Sequence, residues 1–71
     1  MRLLVADYSS GEIMKSLREI AGDTQEQFAR RLNRSVYTIQ KYESGAINYS
    51  LATLLEIAQQ CEVNVILEKS E

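Results

Sequence analysis

The chain has 71 residues, with no histidine, no tryptophan, no proline and a single cysteine, which places it as one small domain near the lower edge of independent stability. Without histidine, Ser-His-Asp and Cys-His nucleophilic chemistry and every His-ligated zinc site are excluded, and one cysteine cannot form an internal disulfide. Apolar residues at 45%, charged residues at 25% and a net charge of −2 are ordinary for a globular domain.

Leu3, Val5 and Asp7 alternate with Leu4, Ala6 and Tyr8, so residues 2–7 read as a short strand. Ser9 precedes Glu12 by three residues, the spacing of a capping box. Ile13, Leu17 and Ile20 then recur at helical spacing, predicting a first helix at about 10–21 that closes near Gly22. Tyr8 reads as a staple between strand and helix, and Met14 as a residue of the helix-one face. Thr24 can cap a second helix, with Gln27 at the reciprocal position and Phe28, Ala29 and Leu32 facing inward. Asn33 follows, a residue that tolerates left-handed backbone. Ser35 caps a third helix at about 35–42, with Val36, Ile39 and Tyr42 on its inner side.

Ser44-Gly45 ends that helix, and residues 44–49 read as loop. Ser50 caps a fourth helix whose inward stripe is expected to be Leu51, Leu54, Leu55, Ala58 and Cys61. Cys61 on that stripe reads as a small buried hydrophobe without a base to activate it. Val63, Val65 and Leu67 alternate with Asn64, Ile66 and Glu68, a β-branched period-two run that predicts a strand at 63–67. The fold class is therefore mainly α: four helices with short N- and C-terminal β-strands, all in one domain over residues 1–71.

A pI of about 5.1 argues on average against nucleic-acid binding, but the charge is unevenly placed. Residues 26–43 carry Arg30, Arg31, Arg34 and Lys41 against Glu26 and Glu43, whereas residues 44–71 carry Lys69 against Glu56, Glu62, Glu68 and Glu71. The middle is basic and the end acidic. In "TQEQFARRLNRSVYTIQKYE", residues 24–43, a bend at Asn33 lets the third helix cross the second where Ala29 is small. Those are the demands of a helix-turn-helix, although a plain helical bundle has the same pattern.

The segment "TQEQFARRLNRSVYTIQKYESG" resembles the Cro/repressor-type (XRE) helix-turn-helix family, with its T-Q-x-x-x-A opening and its terminal E-x-G. The resemblance covers roughly residues 10–60. The departures are Asn33, where the family often has glycine, and Tyr49-Ser50, where a proline is common. The resemblance implies a four-helix, repressor-like domain that regulates transcription by binding double-stranded DNA, usually as a homodimer. The layout from "VADYSS" to "VNVILEK" is also similar to the antitoxin of kinase-type toxin–antitoxin pairs, and phage Cro-like repressors also end in a dimerising strand. The alternative function is thus an antitoxin subunit that holds a partner toxin protein and autoregulates its operon.

By this resemblance the third helix enters the major groove. Ser35, Val36, Tyr37, Gln40 and Lys41 would then face base edges: Lys41 as a donor to guanine, Val36 against a thymine methyl unless it belongs to the core. Gln25 corresponds to a family glutamine that contacts a phosphate and braces the third helix. Arg34, Ser44, Asn48 and Tyr49 would hold the backbone on either side. Arg30 and Arg31 read as a solvated face that adds to the positive field. Arg18 and Glu43 match positions where members often carry a buried, bidentate ion pair.

A lone apolar edge at 63–67 is an aggregation hazard. The expected interface of a homodimer is therefore an intermolecular sheet through Val63, Val65 and Leu67, with Leu3 and Val5 adding to it. The runner-up pairs residues 2–7 with 63–67 inside one chain. No apolar run approaches the roughly 20 residues of a membrane helix, and the first residues are too short an apolar stretch for a signal peptide. A cytoplasmic protein with no membrane partner, no enzymatic activity, no cofactor and no metal is expected.

Overall fold

The computed structural model describes residues 4–69. Four α-helices run in sequence: α1 (Ser10–Ala21), α2 (Gln25–Leu32), α3 (Val36–Ser44) and α4 (Leu51–Gln60), preceded by a 3-10 turn at Val5–Asp7.

Each helix starts on a hydroxyl. Ser9 and Thr24 both complete capping boxes, their side chains accepting from the backbone of Glu12 and Gln27 while those side chains accept from Ser9 and Thr24. Ser35 and Ser50 accept from the backbone of Thr38 and Thr53. The helix ends are equally local. Gly22 (φ 76°) and Asn33 (φ 54°) adopt the left-handed conformation directly after α1 and α2, and Glu62 (φ 58°) does so one residue further beyond α4, after Cys61. In each case the next amide reaches back five residues: Asp23 N–H to Arg18, Arg34 N–H to Ala29 and Val63 N–H to Ala58. These are Schellman closures, which satisfy carbonyls the helix leaves open.

Met14, Leu17, Phe28, Ala29, Leu32, Ile39, Ile57 and Ala58 form one buried core shared by all four helices. α3 packs on both α1 and α2. A glycine permits the closest approach. A Cβ on Gly11 would lie 2.3 Å from the carbonyl oxygen of Glu43, so the start of α1 rests directly on the backbone of α3.

Three expectations are corrected. There is no strand among the described residues. Residues 1–3, with Leu3, lie outside them. Residues 4–8 form a 3-10 turn instead, Asp7 N–H donating to Leu4 and Tyr8 N–H to Val5, so the run is folded back where a strand would be extended. Residues 63–67 are likewise irregular, because a period-two pattern defines a face but not a partner. Pairing of 2–7 with 63–67 within one chain does not occur among the described residues. Val63 instead packs on its own core, while Val65 is half-exposed and Leu67 is 97% exposed.

The inner stripe of α4 is also shifted. Ile57 and Ala58 are buried with Leu54 and Cys61 beside them, whereas Leu51 and Leu55 are turned outward. Two apolar stripes share this helix, and the core took the one centred on Ile57. Tyr8 is more than a third exposed. No helix among the described residues is long and apolar enough to cross a membrane.

Candidate nucleic-acid interface

α2 and α3 are joined by only Asn33-Arg34-Ser35, and the left-handed Asn33 supplies the turn. Ile39 anchors α3 in the core, while Tyr37 on the opposite side is 60% exposed. Gln40 is exposed and Lys41 half-exposed, so these three residues give α3 a polar outer face. Lys41 Nζ stands 5.2 Å from the centroid of the Tyr37 ring, a cation–π contact that steadies a long side chain on this face. Val36 is half-buried and packs against the core, in keeping with its core reading.

The inner end of α3 is pinned by charge. Arg18 Nε donates to Glu43 Oε2 at 2.7 Å and Arg18 Nη2 to Glu43 Oε1 at 3.1 Å. The two side chains are only 16% and 8% exposed. The hydrogen bond to Glu43 raises the pKa of Arg18 above its ordinary value against the opposing effect of burial. Arg18 Nη1 also donates to the carbonyl of Asp23, tying the start of α2 to the same point. The bidentate pair that the family resemblance implies is therefore present, and it fixes α3 against α1.

Gln25, the first residue of α2, is drawn into this cluster. Its Nε2 donates to Glu43 Oε1 at 3.3 Å, and its Oε1 accepts from Gln40 Nε2 at 3.5 Å. The glutamine that opens α2 thus braces α3 from the side.

The fold and this geometry meet in the sequence of the family: the helix-turn-helix family model matches residues 14–66. The chain belongs to the Cro/C1-type (XRE) helix-turn-helix family. This is a family of DNA-binding transcriptional regulators. No curated protein and no solved structure matches the chain.

The remaining residues of this helix-turn-helix divide between surface and scaffold. Ser35 is exposed, but its hydroxyl is already engaged, accepting from Thr38 N–H at 3.1 Å and sharing a hydrogen with Thr38 Oγ1 at 2.9 Å. Ser44 donates to the Lys41 carbonyl and accepts from Ala46 N–H, so it too closes a helix end. Arg34 is half-buried just before α3, and Asn48 is exposed in the loop after it.

Tyr49 differs from the expectation of a phosphate contact. Its hydroxyl donates to the Ser10 carbonyl at 2.5 Å, and its ring packs edge-on against Tyr42 at 5.3 Å. Burial pushes the phenol pKa up. Tyr49 ties the loop before α4 to the start of α1, and its donor is spent there.

Arg31 differs as well. It makes a second bidentate pair, Nε to Asp23 Oδ2 at 2.6 Å and Nη2 to Oδ1 at 3.0 Å. The Asp23 side chain is mostly covered, and the hydrogen bond from Arg31 lowers its pKa. Arg31 therefore clips the two ends of α2 together although it is exposed, as its neighbour Arg30 is. Cys61 is half-buried at the end of α4, and burial raises its thiol pKa.

Sequence reasoning missed two participants. Thr38 sits three residues after its cap Ser35, a spacing that could have exposed the hydroxyl pair. The Asp23–Arg31 clip spans eight residues and has no local signature.

Proposed function

We propose that the protein is a sequence-specific transcriptional regulator that binds operator DNA as a homodimer, with α3 in the major groove. The observation that carries this reading is the division of α3: one side held by Ile39 and the Arg18–Glu43 pair, the other presenting Tyr37, Gln40 and Lys41 to solvent. A rigid helix with a free polar face can hold donors and acceptors in register with base edges. In this reading Lys41 donates to guanine, steadied by Tyr37, while Ser35, Val36 and Gln40 approach the neighbouring bases. Gln25, Arg34 and Asn48 hold phosphates, with the free amides of the α2 N-terminus adding to the Gln25 site, while the Ser44 hydroxyl has its proton on the Lys41 carbonyl.

One such unit spans too few base pairs for a specific site, which favours two copies about a two-fold axis with recognition helices roughly 34 Å apart. Leu51 and Leu55 on α4 are exposed, as are Val65, Ile66 and Leu67 beyond it, and in this reading a second copy covers these apolar side chains. In this reading the chain is not an enzyme, uses no cofactor and works in the cytoplasm. A second reading rests on the same exposed apolar side chains: an antitoxin subunit that holds a partner toxin there and uses α3 for autoregulation. The neighbouring gene separates them, a kinase-like toxin favouring the second, while sedimentation at micromolar concentration tests the dimer, which an 8.1 kDa species there would count against.

The experiment for the DNA reading compares two variants on a duplex selected from a random pool and on unselected DNA. Lys41→Ala costs about 1–3 kcal/mol on the selected duplex and relaxes preference at one base pair. Arg34→Ala weakens both duplexes alike. Equal loss on both for Lys41→Ala removes its base-reading role.

A further inference from the structure

We infer that Tyr37 and Lys41 work as one unit that reads a 5-methylpyrimidine beside a guanine, so that methylation of a cytosine at that place tightens binding. The inference rests on the DNA reading proposed above and names the base step that this face of α3 recognises.

The unit follows from spacing and exposure. Residues four apart on a helix are neighbours, and Lys41 Nζ lies over the Tyr37 ring, 5.2 Å from its centroid. That is inside the roughly 6 Å over which an aromatic face attracts a cation. No carboxylate competes for the ammonium. Glu43, the acidic residue of α3, has one oxygen on Arg18 Nε and the other on Arg18 Nη2 and Gln25 Nε2. Lys41 makes no ion pair among the described residues. A lysine ammonium otherwise roams on a flexible four-carbon stem. Here the ring seats it, so it has less freedom to lose on meeting a base.

The ring is also apolar surface. Ile39 is buried and Val36 packs on the core, which leaves Tyr37 as the large apolar side chain that α3 exposes. The apolar group that the major groove displays is the C5-methyl of thymine. 5-Methylcytosine carries the same methyl at the same ring position. The ammonium can only donate, and guanine presents two acceptors, O6 and N7.

The two targets fall on adjacent base pairs. Each pair of the duplex rises roughly 3.4 Å and turns by about a tenth of a revolution. Groove atoms of neighbouring pairs therefore stand further apart than the rise, as Lys41 Nζ and the Tyr37 ring do. Tyr37 acts twice at such a step: on the methyl directly, and on guanine by positioning Lys41.

The test uses the full chain and a duplex selected from a random pool. The guanine is the base whose preference is lost in Lys41→Ala, and a thymine stands beside it. Replacing that thymine by uracil removes one methyl and weakens wild-type binding about 4-fold, as burial of a single methyl implies. 5-Methylcytosine at the same place binds more tightly than cytosine by a similar factor. Tyr37→Leu keeps an apolar contact but no aromatic face, so the thymine-to-uracil ratio persists while the guanine preference falls by roughly 2- to 5-fold. Tyr37→Ala loses both ratios, and Tyr37→Phe, which keeps the ring, restores both. No thymine beside the guanine, equal binding of thymine and uracil, or an undiminished guanine preference in Tyr37→Leu overturns the inference and leaves the DNA reading standing. So does a Tyr37→Phe variant as poor as Tyr37→Ala. Enrichment of no sequence at all overturns both.

Discussion

Removing the Glu43 carboxylate should unseat more than one bond. In Glu43→Ala the Arg18 guanidinium keeps only its Nη1 contact to the Asp23 carbonyl, in a site where its side chain is 16% exposed. Stranding one charge of a buried pair costs about 3–5 kcal/mol. The lower figure applies here, since one hydrogen bond survives and a part of the side chain still reaches water. A chain of this length has a total stability of about 4–10 kcal/mol at roughly 0.05–0.15 kcal/mol per residue. A loss near 3 kcal/mol then lowers the melting temperature by about 12–24 °C at 4–8 °C per kcal/mol. The double variant Arg18→Met with Glu43→Leu removes both charges and fills the space, so it should recover to within about 1 kcal/mol of the native chain. Urea and thermal unfolding followed by far-UV circular dichroism read both quantities. A loss under about 1 kcal/mol in Glu43→Ala, or a double variant no better than the single, would refute the reasoning.

Gly11→Ala places a methyl against the Glu43 carbonyl; because the obstacle is backbone, the α1–α3 crossing must open, and unfolding experiments should show a loss of about 1–3 kcal/mol despite the better helix former. Asn33→Ala forces a Cβ without a local hydrogen-bonding group into the left-handed region at φ 54° and should cost about 1–2 kcal/mol, whereas Asn33→Gly is neutral or slightly stabilising. Two carboxyls give an acid limb to stability: the Ser9 backbone and hydroxyl hydrogen bonds lower the pKa of Glu12, and the Arg31 hydrogen bond lowers that of Asp23. With folded values below unfolded ones, their contribution is complete above the ordinary carboxylate range and is lost as pH falls through the folded values. Melting temperatures between pH 7 and pH 3 should therefore decline less steeply in Glu12→Gln with Asp23→Asn than in the wild type.

The parts of this fold that were legible in the sequence are those written within a few residues. Ser9 with Glu12, Thr24 with Gln27 and Asn33 after Leu32 state their own helix boundaries, because cap and turn chemistry is local. Phe28, Leu32 and Ile39 announce the core of the helix-turn-helix by their spacing. The Arg18–Glu43 pair spans 25 residues and came from the family resemblance, not from any pattern in the chain. What was not legible depends on partners. The alternation at 63–67 describes a face, but residues 4–8 turn back on themselves through the Asp7 and Tyr8 amides and offer no extended edge to it. α4 carries two apolar stripes, and only the packing of Ile57 on the other helices decides which one is buried. Tyr49 and Arg31 looked like free surface groups because Ser10 and Asp23, their partners, are distant in sequence.

The central claim is that α3 distinguishes one DNA sequence from others. Fluorescence anisotropy with the full chain, on a duplex selected from a random pool and on its scrambled counterpart, measures that directly across a salt series. The account predicts a ratio of affinities of at least about 10³ in favour of the selected duplex, with both affinities falling as salt rises. Equal affinity for the two duplexes, or no measurable binding to either at low salt, would contradict it.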